Sequence, residues 1–279
     1  MKKLLLALLI VLFAVPALAQ PPMVITDPSQ AFITGKFVVK GEGAAPTDRP
    51  LSPAQKKILA TRAAKVVALR ELAEIIDGVA ILGDTLVHDA AVKYDVIRAT
   101  TASMIKGAKV IQEFYDPQSE LATVYVGLGV DGPTGIYGQL VPTIIANLQL
   151  PTAPVYQPVA APPPVPQAYD ALILDITAHI FKPALINRIL AQNGEILYDP
   201  TKIAQNILVE RGAGDYTNDI GKAKAILSER GVKNPLIIKA AGVVKFTDVQ
   251  VSTDDATNIF ASNQKANFLE GAKVVFVLK

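Results

Sequence analysis

The chain of 279 residues has no cysteine and no tryptophan, two histidines, and few aromatic residues. Without cysteine there are no disulfides, no thiolate metal ligands, no thiol nucleophile and no thioether to carry a lipid. His88 and His179 are too far apart to form a local metal motif, and no HExxH occurs. The shortage of aromatics leaves few rigid walls for a ligand pocket. Charge of one sign is also missing. The 27 basic residues nearly balance the 25 acidic ones, and Lys2 and Lys3 account for the difference. A balanced chain lacks the electrostatic footprint of a nucleic-acid binder, and it has no charge run to hold it to anionic lipid.

Long apolar runs are missing beyond the first, Leu4 to Val15. That run falls well short of the roughly 20 residues that span a bilayer. Preceded by Lys2-Lys3 and followed by Pro16 and Ala17-Leu18-Ala19, it reads as a secretory signal peptide over residues 1–19, cut before Gln20. The expected mature chain is exported, periplasmic and without a transmembrane segment. No GxSxG elbow and no P-loop appear.

What remains is organisation. Seven prolines crowd residues 151–167: Pro151, Pro154, Pro158, Pro162, Pro163, Pro164 and Pro166. Proline favours extended backbone and removes donors, so a semi-rigid linker is expected there. It divides the chain into two α+β units. Residues 20–30 read as an irregular segment and residues 31–131 as the first domain. Residues 132–150 read as an amphipathic helix through Ile136, Leu140, Ile144, Ile145 and Leu148. Residues 168–279 form the second domain.

In the first domain Phe32 to Lys40 reads as a strand and Gly41-Glu42-Gly43 as a loop. Ser52 before Pro53 reads as an N-cap and first helical residue. The helix to Asp77 is expected to bury Leu59, Ala63, Val66, Leu69, Ala73 and Ile76, with Arg70 and Glu74 as an i, i+4 pair and Gly78 as the stop. Val79 to Val92 reads as a long strand, Tyr94 to Lys106 as a helix. Lys109 to Tyr115 and Leu121 to Val130 read as paired strands about Asp116-Pro117-Gln118-Ser119. The order β-α-β-α-β-β implies an α/β sandwich with helices on one sheet face.

In the second domain strands are expected at Ala171 to Ile176, Leu236 to Val244 and Ala272 to Leu278. A hairpin is expected over Arg188 to Tyr198, with Asn193-Gly194 as a type I′ turn. Helices are expected at Thr201 to Val209, at Asn218 to Glu229, and from Ser252 or Thr253 to Gly271, with Asp254 and Asp255 favoured in the last helix's first turn. Gly107-Ala108-Lys109-Val110-Ile111 and Gly271-Ala272-Lys273-Val274-Val275 both read as a helix-capping glycine leading into a strand.

Chemistry-bearing residues are sparse. His88 and Asp89, adjacent on an expected strand, would point to opposite faces. Gly212-Ala213-Gly214 reads as a flexible connection. Asp77, Asp84 and Asp89 surround the expected long strand, and Asp215 and Asp219 flank a helix start without the oxygen-rich spacing of a calcium loop. No catalytic, cofactor-binding or metal-ligating residue is assigned, no cofactor is expected, and the chain reads as a non-enzyme.

Residues Arg62-Ala63-Ala64, Ala68-Leu69-Arg70-Glu71-Leu72-Ala73-Glu74, Gly78-Val79, Thr85, Val87, Gly107-Ala108-Lys109-Val110 and Leu128-Gly129-Val130 carry a likeness. Through them the first domain resembles the LPP-twenty family of bacterial envelope lipoproteins, with FlgP and the N-terminal part of FlgT of the same pattern. Lys182-Pro183-Ala184-Leu185, Arg188-Ile189-Leu190, Asn193-Gly194-Glu195 and Asn234-Pro235-Leu236 are similar to C-terminal regions attached to such proteins. The resemblance implies a non-enzymatic structural or assembly protein, tied to the outer membrane or a flagellar basal body. Its expected partners are envelope or flagellar proteins, with self-association included. Lipid-anchored members have cysteine at the cleavage site, where Gln20 stands here, so no lipid anchor is expected. The alternative is a periplasmic binding module for glycan, peptidoglycan or a small ligand.

Overall fold

The computed structural model describes residues 20–159 and 167–279. The expected signal peptide and the prolines at 162, 163, 164 and 166 lie outside the described residues. The chain is α+β, with two units that meet along a shared core.

Residues 20–30 are not irregular throughout. Ile25 bridges Val38, and helix α1 (Pro28–Thr34) begins under an Asp27 cap. Phe32 therefore lies in a helix, and the first strand, β1 (Lys36–Ala44), starts later than expected. Gly41 and Gly43 are not a loop; they lie inside β1 against helix α2 (Pro53–Asp77). A methyl group on Gly41 would overlap the backbone of Ala64 and Ala68, and one on Gly43 that of Ala60 and Ala64. The absent side chains let the helix axis approach the sheet closely.

The same contact rotates the buried face of α2 away from expectation. Ala60, Ala64, Ala68, Leu72 and Ile76 are buried, while Val66 is 56% exposed. Only alanine fits between α2 and the two glycines, so size overrides hydrophobicity there. Ser52 caps α2 in a full capping box with Gln55. Arg70 and Glu74 form no ion pair among the described residues.

The expected long strand Val79 to Val92 is instead a short hairpin, β2 (Ala80–Leu82) and β3 (Thr85–Leu86), followed by helix α3 (Val87–Lys93). Gly83 turns the hairpin at φ +58°. Asp89 accepts from the Leu86 amide at 3.0 Å and starts α3, which its place on a strand had hidden. Helix α4 (Asp95–Lys106) follows. Then come β4 (Lys109–Asp116) and β5 (Leu121–Gly129). The first sheet is antiparallel, in the order β1-β5-β4. It has three strands, because the fourth expected one became the hairpin and α3. Gly78 and Gly107 end α2 and α4 at φ −81°, without the left-handed cap that glycine usually supplies. Two short helices follow, α5 (Ile136–Gln139) and α6 (Val141–Asn147), split where Pro142 occupies the first turn of α6. Ile136, Leu140 and Ile144 are buried as expected, while Ile145 and Leu148 are only partly so.

In the second unit the strands are β6 (Ala171–Asp175), β7 (Ile189–Ala191), β8 (Ile196–Tyr198), β9 (Asp215–Thr217), β10 (Pro235–Lys239), β11 (Gly242–Val244), β12 (Asp248–Val251) and β13 (Val274–Val277). The helices are α7 (Gln205–Arg211), α8 (Ile220–Glu229) and α9 (Thr253–Ala266), with a single 3-10 turn at Pro200–Lys202. One sheet is all parallel, in the order β10-β6-β13-β9. Leu172, Leu174, Val274 and Phe276 face the main core, while Ala171, Ile173, Val275 and Val277 face Ala223 and Leu227 of α8. Burial on both faces explains why β13 and β6 up to Leu174 are apolar without alternation. The other sheet runs β11-β12-β7-β8.

Four expectations fail here. The helix expected from Thr201 to Val209 is a 3-10 turn at Pro200–Lys202, and α7 starts only at Gln205. Leu236 to Val244 is two strands in different sheets, parted at Ala240-Ala241. The Asn193-Gly194 turn is not type I′, because only Gly194 has positive φ, +86°. The Gly194 amide bonds to Ala191 O and the Ala191 amide to Glu195 O, a three-residue turn with a glycine bulge. Helix α9 ends at Ala266 under a left-handed Asn267, so Gly271 is not its cap and the repeat of Gly107 is superficial.

The segment after α6 does not stand off as a spacer where it is described. The Tyr156 amide bonds to Ile196 O, Ile196 N to Pro154 O, and Arg188 Nη1 to Pro151 O. These bonds lay residues 151–156 along β8. The hairpin β2–β3 adds another seam, through Leu185 N to Ala80 O and Ile186 N to Ile81 O.

Candidate functional site

Helices α2, α3 and α4 leave a groove of about 590 Å³ between them. Its floor and walls are Leu69, Ala73, Ala91, Val92, Ala102 and Ile105. The helical period places these residues on one face of each helix. No phenylalanine or tyrosine ring contributes to the lining. The polar groups are Asp77, His88, Arg98, Lys106 and Thr101. Thr101 Oγ1 donates back to Ile97 O at 2.9 Å, so its hydroxyl is spent within α4. His88 Nδ1 lies 3.7 Å from Asp77 Oδ2, and Arg98 Nη2 lies 2.5 Å from Asp95. Lys106 makes no ion pair among the described residues.

A second cleft, of about 570 Å³, lies where residues 150–155 cross β8. Its most deeply buried charged groups are Arg188 and Asp199, which pair. Arg188 Nη2 lies 3.3 Å from Asp199, and Nη1 donates to Pro151 O at 2.7 Å. Asp199 in turn accepts from the amide and hydroxyl of Thr201. Asp248 accepts from the Arg188 amide at 3.2 Å. Burial holds the Asp248 carboxyl up at about 6, against the pull of the Arg188 amide and guanidinium. Arg188 acts as a structural tie between the first proline of the linker and the second sheet. It escaped notice in the sequence, where its one signal was a single charge inside the apolar run Ala184 to Ala191.

The remaining chemistry-bearing residues mostly serve the fold. His179 Nε2 is 3.1 Å from Ala240 O. Asp219 caps α8, and Ser252 caps α9 with Asp255 accepting from the Ser252 hydroxyl at 2.6 Å. Asp84 turns the β2–β3 hairpin beside Lys182 and Phe246. Asp215 opens β9 and meets Arg230 at 2.7 Å through both oxygens. Burial raises its carboxyl to about 6 despite that partner. Gly212-Ala213-Gly214 is no flexible connection. Ala213 is fully buried, and both glycines have positive φ. A side chain at Gly212 would press on Asp131 and Tyr137, and one at Gly214 on Phe276. Around them Tyr137 Oη donates to Leu185 O, Tyr198 Oη to Ala213 O, and Tyr216 Oη to Asn187 Oδ1, a buried polar cluster that Tyr137 of α5 ties to the second unit.

Gly127-Leu128-Gly129-Val130-Asp131-Gly132 has the GxGxxG spacing of a dinucleotide fingerprint. It leaves β5 of an antiparallel sheet and leads to a helix of four residues, not into a βαβ unit. The context that gives the motif its meaning is missing.

Among the described residues the sheet edge formed by β4 is open: there β4 pairs with β5 alone, and Val110, Ile111 and Phe114 are 40–47% exposed. The ladder bulges at Ile111, whose side chain lies over Gly127.

The architecture is that of a two-unit α+β protein with a mixed second unit. Residues 171–279, under half of the chain, match the family described as Treponema pallidum Tp0624, second domain. No curated protein matches the chain.

Proposed function

We propose that this chain is a non-enzymatic cell-envelope assembly protein, exported by the signal peptide read at residues 1–19. It is held at the outer membrane or a flagellar basal body by protein contacts. The observation that carries the reading is the open β4 edge. An unpaired edge flanked by exposed apolar side chains is a template for a partner strand. The bulge at Ile111 leaves Gln112 to Asp116 as the regular stretch on offer. The resemblance of residues 31–131 to envelope lipoproteins supports the location, and Gln20 in place of cysteine makes protein contacts the means of attachment. Among the described residues no helix is long and apolar enough to cross a membrane.

The test is affinity purification of the tagged chain from cross-linked envelopes of its native host. Identified outer-membrane or basal-body proteins should co-purify with the wild type and be lost with Val110→Lys/Phe114→Lys, whose circular dichroism should be unchanged. Equal recovery of those partners by the variant would refute the edge. Recovery of none by the wild type would refute the function.

A further inference from the structure

The groove between α2, α3 and α4 is shaped and charged for a ligand of a definite class. Its volume lies within the range of small-molecule sites, and its lining is mostly apolar with a few polar groups, as such sites require. The apolar walls are Leu, Ala, Val and Ile, and the one ring in the lining is the His88 imidazole beside Asp77. Aliphatic walls favour a flexible aliphatic chain, held by area alone.

The polar groups add a sign. The charged groups of the lining are one carboxylate, Asp77, which lies beside His88, and two cations, Arg98 and Lys106. Both project from α4, eight residues apart, which at the helical rise separates them by about 12 Å along the axis. Asp95 partly occupies Arg98 at the exposed surface, while Lys106 has no anionic partner among the described residues. An apolar trough with cations on its rim complements an apolar tail with an anionic head.

We propose that this groove binds the acyl chain of an anionic amphiphile, its carboxylate or phosphate head meeting Lys106 while Arg98 adds positive potential farther along the rim. The chemistry is shared by a free fatty acid and by a phospholipid. No β4 residue lines the groove, so this site and the assembly edge can fail independently.

The test is isothermal titration of the chain from Gln20 to Lys279 with palmitate and, separately, with lysophosphatidylglycerol, each below its micellar concentration. Dodecyltrimethylammonium serves as the cationic control. Saturable one-to-one binding of palmitate alone assigns a free fatty acid, and of the lysolipid alone or of both, a lipid chain. Ala102→Phe fills the trough from an exposed position and should abolish binding with the circular dichroism spectrum intact. Arg98→Gln/Lys106→Gln should weaken it about tenfold, the loss of charge-assisted contacts. Absence of saturable binding by both anionic probes overturns the proposal. So does binding that survives Ala102→Phe, or equal binding of the cationic control. Saturation only by an amphipathic helical peptide would make the groove a protein-docking site and overturn it as well.

Discussion

The two units solve the packing problem in opposite ways. In the first, a long helix lies on a sheet through the smallest side chains available: Ala60, Ala64 and Ala68 against Gly41 and Gly43. In the second, a parallel sheet is filled from both faces by large groups. Phe276 is fully buried, stacked on Tyr216 at 5.3 Å and on Phe181 at 5.8 Å. Charge divides the same way. Ion pairs of the first unit, such as Arg98–Asp95 and Lys40–Glu42, stand in solvent, whereas the second buries Arg188–Asp199 and much of Arg230–Asp215. One unit is stabilised by closeness of backbones, the other by bulk and by paired interior charge. They should therefore break under opposite kinds of substitution.

The largest effect is expected from removing volume from the second unit. Phe276→Ala deletes a ring with neighbours on both sides, and such deletions cost about 4 kcal/mol. Phe276→Leu, which keeps most of the volume, should cost under about 1.5 kcal/mol. The ratio of the two is the readout, by denaturant titration. Equal losses would point to the stacking geometry of the rings rather than their bulk.

Adding volume should hurt the first unit instead. Gly41→Val places atoms where the backbone of Ala64 and Ala68 already lies, and a helix backbone cannot step aside as a side chain can. Overpacking against backbone should cost about 3 kcal/mol, the upper end of the usual range, so the variant should loosen its α2–β1 contact and unfold at a lower midpoint. Urea titration followed by circular dichroism checks this. A midpoint within error of wild type would mean that the close approach of α2 is not what holds the first unit together.

This contrast also explains what was legible in the sequence. Local signals were. Ser52-Pro53 announced α2, and the turn at Asp116 announced the β4–β5 hairpin, whose Asp116 accepts from Gln118 N and the Ser119 hydroxyl. Each depends on residues a few positions apart. Features set by distant partners were misread. Gly41 and Gly43 look like a loop until the alanines of α2 are placed over them. Val79 to Val92 has the β-branched, apolar look of a strand, yet Gly83 turns it and Asp89 caps a helix in its second half. That error hid the groove, since Ala91 and Val92 form part of its wall only as members of α3. The open β4 edge was half visible: the strand was readable, its lack of a second neighbour was not.

The smallest expected effect sharpens the charge half of the comparison. Asp248 lies in the second unit, and burial raises its carboxyl to about 6. The Arg188 amide and guanidinium and Lys245 lower it and Asp199 raises it, but burial outweighs them. An ordinary aspartate titrates near about 3.9 in an unfolded chain. Between those values the folded protein binds more protons than the unfolded one, so stability falls as pH rises through that window. Asp215, also raised to about 6, acts in the same direction. Acidifying from pH 7 to 5 should therefore raise the melting temperature. Asp248→Asn keeps an oxygen for the Arg188 amide and removes the titration. It should be more stable than wild type at pH 7 by about 1 kcal/mol, a partly screened share of the full shift, with the advantage fading towards pH 4. Calorimetry of both proteins across that range decides the matter. A wild type that loses stability on acidification to pH 5 would show that Arg188 and Arg230 hold these carboxylates ionised. The second unit's interior charge would then stabilise the fold at neutral pH instead of taxing it.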